Sequence, residues 1–83
     1  MRRIDAPIDV TVRKSRPVHI RWERREWEVQ RLLECWVHTT RWWGTGPSER
    51  RTYYRLEIPD GVVEIYRTHG QLRDEWTLSR ISD

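Results

Sequence analysis

The chain of 83 residues has one cysteine, one methionine, one lysine and no phenylalanine. A lone Cys35 excludes an internal disulfide framework, so a small bridged scaffold is ruled out and a reducing compartment, the cytoplasm, is expected. No apolar run is long enough for a membrane-spanning helix, and no leader-like segment is recognisable, so a soluble protein is expected. Hydrophobic residues make up 36% of the chain, against about 45–50% in ordinary globular domains. Core material is scarce, and residues 1–83 are expected to form one small domain. Charge of one sign is not abundant either: 16 basic residues face 13 acidic ones, a net charge of +3. That is well short of a tail that binds nucleic acid by charge alone.

What is present is aromatic and arginine-rich. Six tryptophans and three tyrosines must do most of the sealing, since a buried ring covers roughly 150–250 Å². Lys14 is the only lysine, so arginine carries nearly all the positive charge. Arginine pairs bidentately with phosphate or carboxylate and stacks on rings, which lysine does not. Base composition of the genome explains the same bias without any binding role.

Alternation of apolar and polar residues marks strands throughout. Ile4 to Arg13 reads as one half-buried strand, with Ile8, Val10 and Val12 on one face, and Lys14 to Pro17 breaks it. Val18, Ile20 and Trp22 point inward on the next strand. A four-residue loop, Glu23 to Glu26, would set Trp22 opposite Trp27, Ile20 opposite Val29 and Arg21 opposite Glu28. Residues 30–37 read either as a short helix or as part of a long bent strand. In the strand reading a bulge near Arg31 keeps Val29, Leu33 and Trp36 inward. Gly44 to Ser48 is a loop. Asp60-Gly61 taken as a two-residue turn pairs Ile58 with Val63, Leu56 with Ile65, Arg55 with Tyr66 and, as one defect, Glu57 with Glu64. Thr68 to Glu75 is a polar loop, and Trp76 and Leu78 point inward on a last strand. The expected fold is mainly β: a small antiparallel barrel or strongly curved sheet of five to six strands, with the short helix near residues 30–37 left open.

This reading puts Tyr54 in the core and turns Arg51, Tyr53, Arg55 and Tyr66 outward as one cluster. One of Trp42 and Trp43 also faces out, and Arg41 and Trp42 complete the candidate set. Arginines between exposed rings suit single-stranded nucleic acid, whose bases stack on rings while guanidiniums hold phosphates. They suit a protein interface equally, where Tyr, Trp and Arg are the commonest anchors. The plain alternative is that Tyr53 and Tyr66 cover sheet surface while Arg51 and Arg55 pair with Glu57 and Glu64.

Catalytic and metal chemistry has little support. Cys35 and His38 have the spacing of half a zinc site, but no second cysteine exists and His19 and His69 lie on other elements. Cys35 is expected to be a small buried hydrophobe. Ser48 and Ser79 lie in no nucleophile motif, and no phosphate loop occurs. No enzyme activity and no cofactor are expected.

Trp42-Trp43, Arg51, Tyr53-Tyr54-Arg55-Leu56, Asp60-Gly61, Tyr66-Arg67 and Trp76-Thr77-Leu78 together resemble a small Trp-rich bacterial domain family of unknown function. That pattern is similar to the carboxyl-terminal segment of inactive Y-family-polymerase-like mutagenesis proteins. The resemblance covers about half the chain, from Trp42 onward, with Leu56 where the pattern usually has valine. It implies a non-catalytic accessory to DNA repair or replication, whose partner is single-stranded DNA or a repair or replication protein.

Overall fold

In the computed structural model, which describes residues 2–40, 49–69 and 75–82, the chain forms eight strands and no helix among the described residues. They are β1 (Arg2–Pro7), β2 (Asp9–Arg13), β3 (Arg16–Trp22), β4 (Arg25–Glu28), β5 (Arg31–Thr40), β6 (Glu49–Ile58), β7 (Gly61–Thr68) and β8 (Glu75–Ser82). They make two antiparallel sheets, one of five strands in the order β1-β8-β7-β6-β5 and one of three in the order β2-β3-β4. The mainly β class is as expected, but the strands exceed the five to six of the sequence reading, and neither sheet closes on itself among the described residues.

Two strands were hidden inside longer runs of alternation. Ile4 to Arg13 splits at Ile8, which is buried and donates its N–H to the carbonyl of Trp76 (3.2 Å). Before Ile8 the chain belongs to the large sheet, and after it to the small one. The run from Trp27 likewise divides into β4 and β5, so residues 30–37 are not helical. At the division Val29 donates to Val18 in the small sheet while Gln30 donates to Glu57 in the large one. A strand whose neighbour changes in mid-course keeps its side-chain period, which is why alternation alone could not reveal either switch.

One core joins the sheets. Ile8, Ile20 and Trp27, from the small sheet and its entry, cluster with Tyr54, Leu56, Ile58, Val63, Ile65, Leu78 and Ile81 of the large one. Trp27 is buried, and its Nε1 donates to Asp60 Oδ2 at 3.3 Å, tying the small sheet to the β6–β7 turn. The residues expected inward on β6 and β7 are inward, because each apolar side chain keeps its face.

One turn is tighter than expected and another is displaced by one residue. Trp22 pairs with Arg25, Arg21 with Glu26 and Ile20 with Trp27, so the loop is Glu23-Arg24 and the register lies two residues from the one anticipated. Trp22 and Trp27 still approach diagonally, with ring centroids 6.1 Å apart. Likewise Ile58 pairs with Gly61 and Leu56 with Val63, so Pro59-Asp60 is the turn and not Asp60-Gly61. Proline suits a turn but cannot donate to a ladder, and Gly61 (φ 144°) takes the positive angle beside it. This register also removes the Glu57/Glu64 clash, setting Glu64 opposite Arg55.

The β2–β3 turn holds non-glycine residues at positive φ, with Lys14 at 52° and Ser15 at 64°. Two left-handed residues are what a two-residue hairpin of the primed type needs, and asparagine followed by glycine adopts it with least strain. Lys14→Asn with Ser15→Gly is therefore expected to stabilise the fold by about 1 kcal/mol, read as a higher midpoint in thermal unfolding.

Tyr54 is the core tyrosine, packed against Trp76 with ring centroids 5.6 Å apart. Burial pushes its phenol above the ordinary value, and the nearby Arg67 only partly offsets this. The folded state therefore holds the proton more tightly than the unfolded chain does. Its contribution is fully present below about pH 10, the unfolded value, and is lost as pH rises through the higher folded one. Stability should fall on the alkaline side, and Tyr54→Phe should flatten that slope in unfolding followed by circular dichroism.

Candidate binding face

The face of the large sheet turned away from the core carries a ladder of rings. Trp36 on β5 lies opposite Tyr53 on β6, and Tyr53 lies opposite Tyr66 on β7. Trp36 and Tyr53 are stacked, with centroids 5.2 Å apart and planes within 3°. Tyr53 and Tyr66 are 5.0 Å apart and tilted by 42°. Cross-strand aromatic pairs of this kind each add about 0.2–1 kcal/mol, so the ladder stiffens the sheet as well as facing outward.

Arginines cross the ladder. Arg51 lies over Tyr66 (4.6 Å from guanidinium carbon to ring centroid), and Arg55 lies over Trp36 (5.7 Å). Each also meets a carboxylate: Arg51 pairs with Glu49 at 3.2 Å, and Arg55 with Glu34 at 3.2 Å and Glu64 at 3.6 Å. A hydrogen bond to Tyr53, with help from Glu49, raises the Arg51 guanidinium above its ordinary value against the opposing effect of burial. Both arginines are thus held in place before any partner arrives.

Beside the ladder lies a groove of about 300 Å³ whose walls include Arg3, Arg51 and Arg80 together with Asp5, Glu64 and Ser79. Arg3 is bonded to Asp5 at 2.6 Å. Arg80 pairs across the ladder with Glu64 on β7. Three guanidiniums and two carboxylates give this polar groove charges of both signs.

Arg51, Tyr53, Arg55 and Tyr66 therefore share one face and are partly exposed. Arg41, Trp42 and Trp43 lie outside the described residues. Three assignments on β5, those of Trp36, Leu33 and Cys35, need correction. Trp36 was expected inward but stands on the ladder face, because the β5 bulge falls at Leu33, between the pairs Leu32/Leu56 and Glu34/Arg55, and not near Arg31. A bulge resets the alternation of everything after it, so with Leu32 beside core Leu56 it is Cys35 that next takes the core side and Trp36 the other. The same bulge leaves Leu33 exposed. Cys35, expected to be buried, is exposed, since β5 is an edge strand. The signal for Trp36 was available: Glu34 opposite Arg55 is a better pair than any that an inward Trp36 permits.

Cys35 pairs with Tyr54 and His38 with Arg51, which puts them on opposite faces of β5. Among the described residues no group of three or more metal-ligating side chains occurs, and no helix is long and apolar enough to cross a membrane. Comparison with protein families, with curated proteins and with solved structures finds no match to this chain.

Proposed function

We propose that the protein is a non-catalytic binding module of the cytoplasm that docks another protein on its ladder face, in the DNA repair or replication setting that the resemblance implies. The observation that carries this is the Trp36–Tyr53–Tyr66 ladder with Arg51 and Arg55 laid across it. Rigid rings and pre-oriented guanidiniums lose little entropy on docking, and Trp, Tyr and Arg dominate interface energetics. The mixed charges of the groove match a polar protein segment.

Single-stranded DNA is the second reading, favoured by Arg3, Arg51 and Arg80 at the groove and by the net charge of +3. Against it, bases stack on free ring faces, and Tyr53 has Trp36 and Tyr66 as near neighbours on both flanking strands. Arg51 and Arg55 also arrive already paired with carboxylates.

The two separate in one titration. A labelled single-stranded oligonucleotide is added at low and at high salt, and its anisotropy is followed. Protein docking predicts no saturable rise, whereas nucleic-acid binding predicts a rise that collapses with salt. Candidate repair and replication proteins, purified and immobilised, should retain the wild type and release a Trp36→Ala/Tyr53→Ala variant that still unfolds cooperatively. Equal retention of the two would remove the ladder from the interface.

A further inference from the structure

The large sheet ends in two edges that are unlike. β1 carries Arg2, Arg3 and Pro7, a bulge between Arg3 and Ala6, and Asp5 at a φ of 54°. Charges, proline and irregularity are the means by which proteins keep an edge from pairing with another chain. In the small sheet β2 has a bulge of its own, and β4 is four residues long with Arg25, Glu26 and Glu28. β5 differs from these three. It is ten residues long, has no proline or lysine, and pairs among the described residues with β6 alone. Beyond its bulge at Leu33 the pairing with β6 is regular from Glu34 to Thr40. Val37 is half exposed (51%), and Cys35 is exposed.

We infer that β5 pairs antiparallel with β5 of a second copy of this chain, about a two-fold axis through Trp36, joining two five-stranded sheets into one of ten. The register follows from the side chains. Centred on Trp36, Glu34 faces the partner's His38, Cys35 faces the partner's Val37, and the two Trp36 rings meet. On the ladder face the Trp36 pair is flanked on each side by a Glu34/His38 pair, and on the other face Cys35 meets Val37 twice, as a self-complementary interface requires. Centring on Glu34 would set two carboxylates together. Centring on Cys35 would set Glu34 against the partner's Trp36, and centring on Val37 would set Glu34 against the partner's Thr40. The Trp36 register also continues the ladder from three rings to six, since among the described residues no ring lies beyond Trp36 on its edge side. This dimer stands on the edge of the sheet and does not depend on what docks on the ladder face.

Sedimentation equilibrium over a range of concentrations tests it, with a twofold rise above the monomer mass of 10.3 kDa expected. Val37→Lys, at a half-exposed position, should return the mass to that of the monomer with unchanged circular dichroism. The register is tested by Val37→Cys. Its new thiol lies opposite the partner's Cys35, so mild copper-catalysed oxidation by air should link the copies covalently. In a Cys35→Ser background the Val37→Cys thiol has no thiol opposite it and should stay unlinked. A monomer at every concentration, a Val37→Lys protein that remains dimeric, or equal cross-linking with and without Cys35 would each overturn the proposal.

Discussion

Truncation of Leu56 to alanine is expected to cost about 3 kcal/mol. Leu56 lies near the end of β6, between Leu32 on β5 and Val63 on β7, and is fully buried in the cluster that also holds Ile20 and Trp27 of the small sheet. A chain of this length is stabilised by only about 4–12 kcal/mol in total, so the loss is a large fraction of the whole. It should appear as a fall in the thermal midpoint of about 12–24 °C, at 4–8 °C per kcal/mol. Leu56→Met conserves volume and should cost less than about 1.5 kcal/mol. A drop below about 1 kcal/mol for the alanine variant would mean that the two sheets close over the gap, contrary to the close packing expected of such a core.

The second large effect concerns Glu64. Its side chain is 9% exposed and meets Arg55 at 3.6 Å, on a guanidinium that is itself 40% exposed. Removing one member of a buried pair leaves a charge without compensation and costs about 3–5 kcal/mol. Here the half-exposed arginine is partly screened, so Arg55→Ala should cost nearer about 2 kcal/mol. Glu64→Leu with Arg55→Met replaces both charges by apolar groups and should lie closer to wild type than Arg55→Ala does. Urea unfolding of Glu64→Leu, of Arg55→Met and of the double variant forms a cycle whose coupling is the test. If the double variant is as unstable as the sum of the singles, the pair contributes nothing of its own.

Glu64 also explains part of the candidate face. It stands on the ladder side of β7, beside Arg55, among the residues that line the polar groove. Arg55 is drawn between Glu64 and Glu34 while lying over Trp36, so one arginine links strands β5, β6 and β7. Loss of Arg55 should therefore loosen the ladder as well as destabilise the fold, and ring-current shifts of Trp36 and Tyr53 protons in NMR spectra would report it.

Alternation by itself determined which side chains of β6 and β7 face the core, and that Leu78 of β8 does, whereas Ile81, three residues on, reaches the core only past an irregularity in the β7–β8 pairing. Tyr54, Leu56, Ile58, Val63, Ile65 and Leu78 are buried, and Tyr53 and Tyr66 stand together on the other side, as the period of two requires. That same period explains the errors of register. A slip of two residues returns every side chain to its own face, so the hydrophobic pattern cannot tell Pro59-Asp60 from Asp60-Gly61 or a two-residue turn from a four-residue one. Two cues pointed to the observed register: a proline that cannot donate within a ladder, and two glutamates that should not face each other.

Only the tertiary structure decided where strands change sheets, at Ile8 and between Val29 and Gln30, and where β5 bulges. These are choices of neighbour, set by which backbone groups find partners across the two sheets, and a neighbour leaves no trace in local periodicity. The face of Trp36, and with it the full ladder, followed from the bulge. Residue order set the faces, and the packing of one sheet against the other set the partners.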